Sequence, residues 1–133
     1  MGGSIMSHLQ QEKKMNNKKY QLHQIHLTDE EFDKVNAEGH NSVEKNILKI
    51  EMSLSDKVNQ ISKKAWDKGY YTHVANVTTD DGLEGVYRTS NIGPDKNIER
   101  ISDMYSASVG DIVIDENNKM FVIANLGFVE VAQ

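Results

Sequence analysis

The hydrophobic positions of this chain change period several times, and the changes divide it into elements. From Tyr20 to Leu27 (YQLHQIHL) apolar and polar residues alternate imperfectly over a short run. This predicts a strand with Tyr20, Leu22, Gln24 and His26 on one face and Gln21, His23, Ile25 and Leu27 on the other. Thr28-Asp29-Glu30-Glu31 then reads as a capping box. The Thr hydroxyl can accept the N3 amide while Glu31 reaches back, and the three acids suit the positive end of a helix dipole. A short helix follows, with Phe32 and Val35 predicted to face inward and Gly39 to stop it. Next, Val43, Ile47, Ile50, Leu54, Val58, Ile61 and Ala65 recur at gaps of three or four, widened by Leu48, Met52 and Trp66. With Asn41 as cap, Glu44 at N3 and Gly69 as terminator, this stripe predicts one unbroken helix over 42–68. At 1.5 Å per residue it would run roughly 40 Å, more than the ~26 Å diameter of a domain of about 100 residues. The stripe therefore either packs wholly on the core with an overhang or is shared with a second copy, as a homodimer through helix 42–68.

Tyr70 to Thr79 (YYTHVANVTT) alternates again and is rich in β-branched and aromatic residues. It predicts a strand with Tyr71, His73, Ala75 and Val77 on one face. Asp80-Asp81-Gly82 is a turn or an N-cap for a short helix over 83–90, whose buried side would be Leu83, Val86 and Tyr87. Residues 91–103, with the only proline, Pro94, predict a loop. Gly110 and Asp111 lead into a hairpin: Ile112–Ile114, a turn at Asp115–Asn118, and a return strand Met120–Ala124. Its strands are almost wholly apolar, which predicts cover on both faces, one of them from the long helix. Asn125-Leu126-Gly127 breaks the pattern before a last strand, Phe128–Val131. The fold class is α+β: a mainly antiparallel sheet of four or five strands, the long helix across one face, two short helices beside it, in the order β-α-α-β-α-β-β-β. A single domain over 20–133 follows a polar stretch, 1–19, that reads as a tail.

The chain has no cysteine, which excludes disulfides, thiolate metal sites and cysteine nucleophiles. No apolar run approaches the ~20 residues needed to span a bilayer, and the first residues lack a signal-peptide core. A soluble, cytoplasmic protein is the expectation. The net charge of −5 is unevenly spread. Residues 1–68 hold 11 Lys against 10 acids, whereas 69–133 hold 4 Lys and Arg against 10 acids, a net −6. Binding nucleic acid requires cations to displace counterions from phosphates, so the second half is a poor surface for it.

Candidate chemistry is sparse. His23 and His26 are predicted on opposite strand faces and cannot chelate one ion; no metal or cofactor is expected. Asp111, His73, Tyr87, Arg88 and Asn91 could in principle serve catalysis, but each has a structural account, and no P-loop, G-x-S-x-G, H-E-x-x-H or G-x-G-x-x-G occurs. An enzyme is not the leading expectation.

The run S-x-S-V-G-D-I-V at 106–113, a polar turn, and F-V-I-A-N-L-G-F at 121–128 resembles the C-terminal signature of YodL-like proteins. Leu83-Glu84-Gly85-Val86-Tyr87-Arg88-Thr89-Ser90-Asn91 is similar to the L-E-x-x-F-x-x-x-N segment that precedes it in phage-borne members. Asn125-Leu126 departs from the usual Ser-Phe, and the long helix has no counterpart in the pattern. The resemblance, over about residues 70–131, implies an accessory protein of a phage or mobile element and no defined active site. We single out Tyr87, Arg88, Asn91, Asp111, Asn125 and Phe128 as binding candidates. The leading reading is a protein-interaction module whose acidic half docks a basic host or phage protein. The alternative is a small nucleic-acid-binding β module, PUA- or ASCH-like, because V-G-D-[IV]-[IV] also leads into hairpins of that kind.

Overall fold

A computed structural model describes residues 17–132. Most of the stretch read as a tail lies outside the described residues, but Lys18 and Lys19 already belong to the first strand. In chain order the elements are β1 (Lys18–Ile25), α1 (Asp29–Glu38), α2 (Glu44–Leu54), α3 (Val58–Asp67), β2 (Tyr71–Thr79), α4 (Gly82–Ile92), β3 (Ile98–Arg100), β4 (Ile112–Ile114), β5 (Met120–Ile123) and β6 (Phe128–Val131). The strands form one antiparallel sheet in the order β3-β2-β1-β4-β5-β6. The α+β class holds, with six strands where four or five are predicted. The extra one is β3, inside the stretch read as a loop; three residues pairing Ile98–Arg100 with Ala75–Val77 are too short to show a period. Among the described residues, no helix is long and apolar enough to cross a membrane.

Both faces of the central strands are covered, and β4 shows how. Ile112 and Ile114 join Ile25, Met120, Val122 and Val131 beneath Leu48 and Met52 of α2 and Val58 and Ala65 of α3. Val113 points the other way, to Tyr20, Leu22, Val74, Ala75 and Val77 beneath Val86 of α4. A bulge interrupts the alternation of β2. The register steps from Leu22–Ala75 to His23–His73, leaving Val74 as an extra residue. Tyr71 and His73 therefore lie on the α3 face, opposite Ala75 and Val77, and not with them as strict alternation predicts.

The predicted long helix is two helices. Ser55 is extended (φ −111°, ψ 148°) and its hydroxyl accepts the Lys57 amide at 3.0 Å, a local bond that competes with the helical ladder. The break also changes which residues are buried. Leu48 and Met52 (i, i+4) face the core from α2, and Val58, Ser62 and Ala65 from α3, while Ile50 and Leu54 are exposed. The single 42–68 rod, whose stripe a second copy could have shared, does not form. Two shorter helices cover a sheet that one rod would overrun.

The capping box of α1 forms in full: Glu31 N donates to Thr28 Oγ1 at 3.1 Å and Thr28 N to Glu31 Oε1 at 2.9 Å. The Thr28 amide first, and Lys45 Nζ at 2.9 Å with it, hold the Glu31 carboxyl below its ordinary range. Yet α1 buries no residue, and Phe32, expected inside, is 45 % exposed. Capping and the Lys45 contacts to Glu31 and to the His26 carbonyl (3.2 Å) fasten this helix.

The seat of α4 depends on Gly85. A Cβ there would lie 2.8 Å from Asp81 Cβ and collide with Thr79 Oγ1 at the end of β2. Gly85→Ala is expected to lower unfolding stability by about 1–3 kcal/mol, the usual cost of overpacking, despite alanine's better helix propensity. Chemical denaturation checks it, and an unchanged or higher midpoint would contradict this packing. Thr28→Ala is expected to act locally: hydrogen exchange of the α1 amides speeds up by the equivalent of about 1 kcal/mol, while the global melting point barely moves.

Candidate functional site

A cleft of about 260 Å³ opens between α4, the loop before β4 and the β5–β6 turn, lined by Glu84, Tyr87, Val109, Ile123, Ala124, Asn125, Gly127 and Phe128. It exists because α4 packs mainly on β2, so the far end of the same sheet face is left open where Phe128 abuts the core. Gly127, at φ +78°, makes the turn between β5 and β6, and it and Asn125, on either side of Leu126, line the cleft. Leu126 is 94 % exposed and Tyr87 42 %. Asn125 Nδ2 donates to the Ser53 carbonyl at 3.3 Å, tying the turn to the end of α2, where Leu54 is 81 % exposed. Glu84 is the only ionisable carboxylate among the lining residues, and the lining holds no cation.

Three of the six binding candidates, Tyr87, Asn125 and Phe128, share this cleft. Arg88 does not; it pairs with Asp81 at the start of its own helix. Asn91 and Asp111 hold the loop that forms one wall. Asn91 Nδ2 donates to the Ala107 carbonyl at 3.3 Å. Asp111 is buried, and its Oδ2 accepts Ser108 N and Gln24 Nε2, each at 3.0 Å. Burial outweighs these two hydrogen bonds and the field of Lys49, pushing the Asp111 carboxyl up to about 7. A neighbouring hydroxyl, Tyr71 Oη, donates to the Gly110 carbonyl at 2.6 Å, and burial drives its own ionisation far above the ordinary range.

Sequence reasoning missed Gln24, Val109 and Leu126. Gln24 had one signal, an amide on the same predicted strand face as Tyr20 and Leu22. Val109 had none, since nothing in its neighbours reveals which side of a loop faces a cleft, and nothing marks Leu126 as the exposed residue of its turn.

His23 and His73 each have a side-chain partner within the sheet. His73 Nε2 donates to Asn76 Oδ1 at 2.8 Å and His23 Nε2 to Gln21 Oε1 at 2.9 Å, because amide oxygens can only accept. Their rings stack at 4.6 Å with Trp66 edge-on to His23 at 5.0 Å. Burial, then the neighbouring His73, lowers His23 to about 4. Among the described residues no group of three or more His, Asp or Glu is arranged to hold a metal. A second depression, about 310 Å³, lies on the other sheet face between Trp66, Ile114 and Met120, with the Lys63–Asp67 ion pair (2.7 Å) at its rim. None of the six candidates reaches it.

Comparison of the chain with protein-family profiles, with curated proteins and with solved structures returns no match.

The two shifted groups give stability opposite pH slopes. Asp111, raised from 3.8 to about 7, stabilises the fold fully below pH 3.8 and loses that contribution as pH rises to about 7. His23, lowered from 6.5 to about 4, contributes above pH 6.5 and loses it as pH falls to about 4. Between these limits they oppose each other. Asp111→Asn removes one side, so relative to the wild type it is expected to gain up to about 1.4 kcal/mol per pH unit from pH 4 to 7. Urea titrations at pH 4.5, 5.5, 6.5 and 7.5 read this directly; parallel curves for the two proteins would refute a raised Asp111.

Proposed function

We propose that this protein is an interaction module that docks a host or phage protein through the cleft between α4 and the β5–β6 turn. The observation that carries the reading is the cleft lined by Tyr87 and Phe128, beside a β5–β6 turn in which Leu126, between the lining residues Asn125 and Gly127, is 94 % exposed. An isolated exposed leucine is ordinary; one in the turn beside an open cleft, with Tyr87 exposed in the lining and Leu54 exposed next to the Ser53 that Asn125 bonds, fits a surface completed by a partner. The chemistry of that partner follows from charge. Glu84 is the one charged residue among those lining the cleft, and residues 69–133 carry a net −6. The complementary ligand is a peptide segment with an aromatic or branched apolar anchor flanked by Lys or Arg. The resemblance of residues 83–91 and 106–128 to YodL-like proteins supports the wider setting, an accessory protein of a phage or mobile element.

Selection from a displayed peptide library on the immobilised protein tests this. Enriched peptides are expected to combine an apolar anchor with basic flanks, to bind more weakly at high salt, and to lose at least tenfold in affinity on Leu126→Asp or Tyr87→Ala. Both sites are exposed, so the variants keep the fold. No enrichment, or peptides indifferent to both substitutions, would refute docking at this cleft. Tight binding of single-stranded oligonucleotides unaffected by Leu126→Asp would favour the nucleic-acid alternative.

A further inference from the structure

The sheet ends in two edge strands, β3 and β6, and they differ. In β3 the polar side chains are engaged: Glu99 Oε1 accepts Asn76 Nδ2 at 2.7 Å, and Arg100 faces Asp95 at 3.5 Å. In β6, Glu130 is exposed and has no ion-pair partner among the described residues. Half of the β6 backbone is free as well. Ile123 turns its main chain away from β6: its N–H donates to the Asp111 carbonyl at 2.9 Å, and its carbonyl accepts Gly110 N at 2.8 Å. Ala124 N, the next amide, donates to the Gly127 carbonyl at 2.9 Å. Bonded and non-bonded pairs alternate in an antiparallel ladder. Val129 and Val131 therefore bond across to Val122 and Met120, whereas Phe128 and Glu130, opposite Ile123 and Phe121, direct their N–H and C=O groups outward. Among the described residues no strand lies on that side.

The side chains of β6 are sorted by the same alternation. Val129 and Val131 belong to the core beneath α2 and α3, whereas Phe128 packs on the α4 face and lines the cleft. Glu130, two residues on, shares the face of Phe128. Resting on the reading of this cleft as the docking surface, we propose that the partner segment binds extended, as a strand added to the outer edge of β6. Its backbone bonds to Phe128 and Glu130. Its apolar anchor lies beside Phe128 and enters the cleft, and a Lys or Arg two residues from the anchor meets the Glu130 carboxylate.

An edge strand is a row of unpaired donors and acceptors, a ready template for another chain. Bonds to its main chain supply affinity whatever the sequence, and alternate side chains supply selectivity. Here both elements of selectivity lie on one face: an apolar recess at the start of β6 and a single negative charge about 7 Å further along. That spacing suits a strand. Neighbours on one face of a helix stand three or four residues apart, so a helical ligand does not match it. A second copy of β6 matches less well too. Paired about Val129 it sets Glu130 against Phe128, and paired about Glu130 it sets carboxylate against carboxylate, so neither arrangement brings a cation to the edge. A basic, extended segment does.

Amide hydrogen exchange on the full chain, extended at its C terminus by a flexible Gly-Ser linker and a test strand, decides this. The test strand is Thr-Lys-Thr-Phe-Thr-Lys-Thr, which places a Lys two residues from the Phe in either direction. The control is Lys-Thr-Thr-Phe-Thr-Thr-Lys, of the same composition but with both Lys on the other face. Tethering gives an effective concentration on the order of millimolar, so that weak pairing registers. The test strand is expected to raise protection of the Phe128 and Glu130 amides about tenfold, and the control roughly threefold less. The Val129 and Val131 amides, bonded within the sheet, should not change. Glu130→Gln, at an exposed position, is expected to erase the difference between the two strands. No gain at Phe128 and Glu130, or the same gain from both strands, would overturn the proposal. So would protection of those amides in the unextended protein that is lost on dilution, which would give the edge to a second copy. The peptide selection reads Tyr87 and Leu126 while exchange reads the β6 main chain, so the docking surface and the strand addition can fail separately.

Discussion

The position of β1 in the middle of the sheet constrains everything around it. Hydrogen-bonded to β2 on one edge and β4 on the other, it must present side chains to two covered faces, and Tyr20, Leu22 and Ile25 supply them. Few polar groups can be tolerated in such a strand. Beyond the exposed Lys18 and Lys19 at its start, those present, Gln21, His23 and Gln24, are all hydrogen-bonded, as buried or half-buried polar groups must be. Gln24 does more than satisfy itself. It converts the rigidity of the central strand into the shape of a loop that would otherwise have nothing to follow.

Much of this was legible in the residues wherever a local rule acted alone. The Thr28–Glu31 box, the short helix at α4 and the hairpin of β4 and β5 lie where capping, spacing and turn chemistry put them. What was illegible involved a choice made by the tertiary structure. The apolar stripe from Val43 to Ala65 is compatible with one helix, and only the sheet beneath decides that Ser55–Lys57 should break it. The extra residue at Val74 is likewise invisible, because YTHVANV alternates acceptably in either register until Leu22 and His23 are set against it. The spacing of Phe32 and Val35 points to an inward face for α1, yet Phe32 is exposed and Val35 only half-buried.

The candidate site follows the same division. Tyr87, Asn125 and Phe128 come from separate stretches and meet in one cleft, whereas Arg88 is drawn off to Asp81 by proximity at a helix start. In the sequence Asp111 stands at the entry to a hairpin strand and counts among the binding candidates. Its burial depends on β1 lying next to β4, a neighbour relation spanning about ninety residues that no periodicity encodes.

That neighbour relation has a consequence for how the molecule comes into being. As the chain leaves the ribosome, β1 emerges first, and both of its hydrogen-bonded edges wait: one for β2, some fifty residues later, the other for β4, some ninety later. Closing such loops costs entropy before any contact repays it, so this topology belongs with slow-folding sheets. During synthesis the strand that later organises the sheet has both edges unpaired, with Lys18 and Lys19 at its start and the charged first turn of α1 beyond its end. Those charges flank the segment as gatekeepers against premature association, a burden placed on the nascent chain by a strand that belongs at the centre.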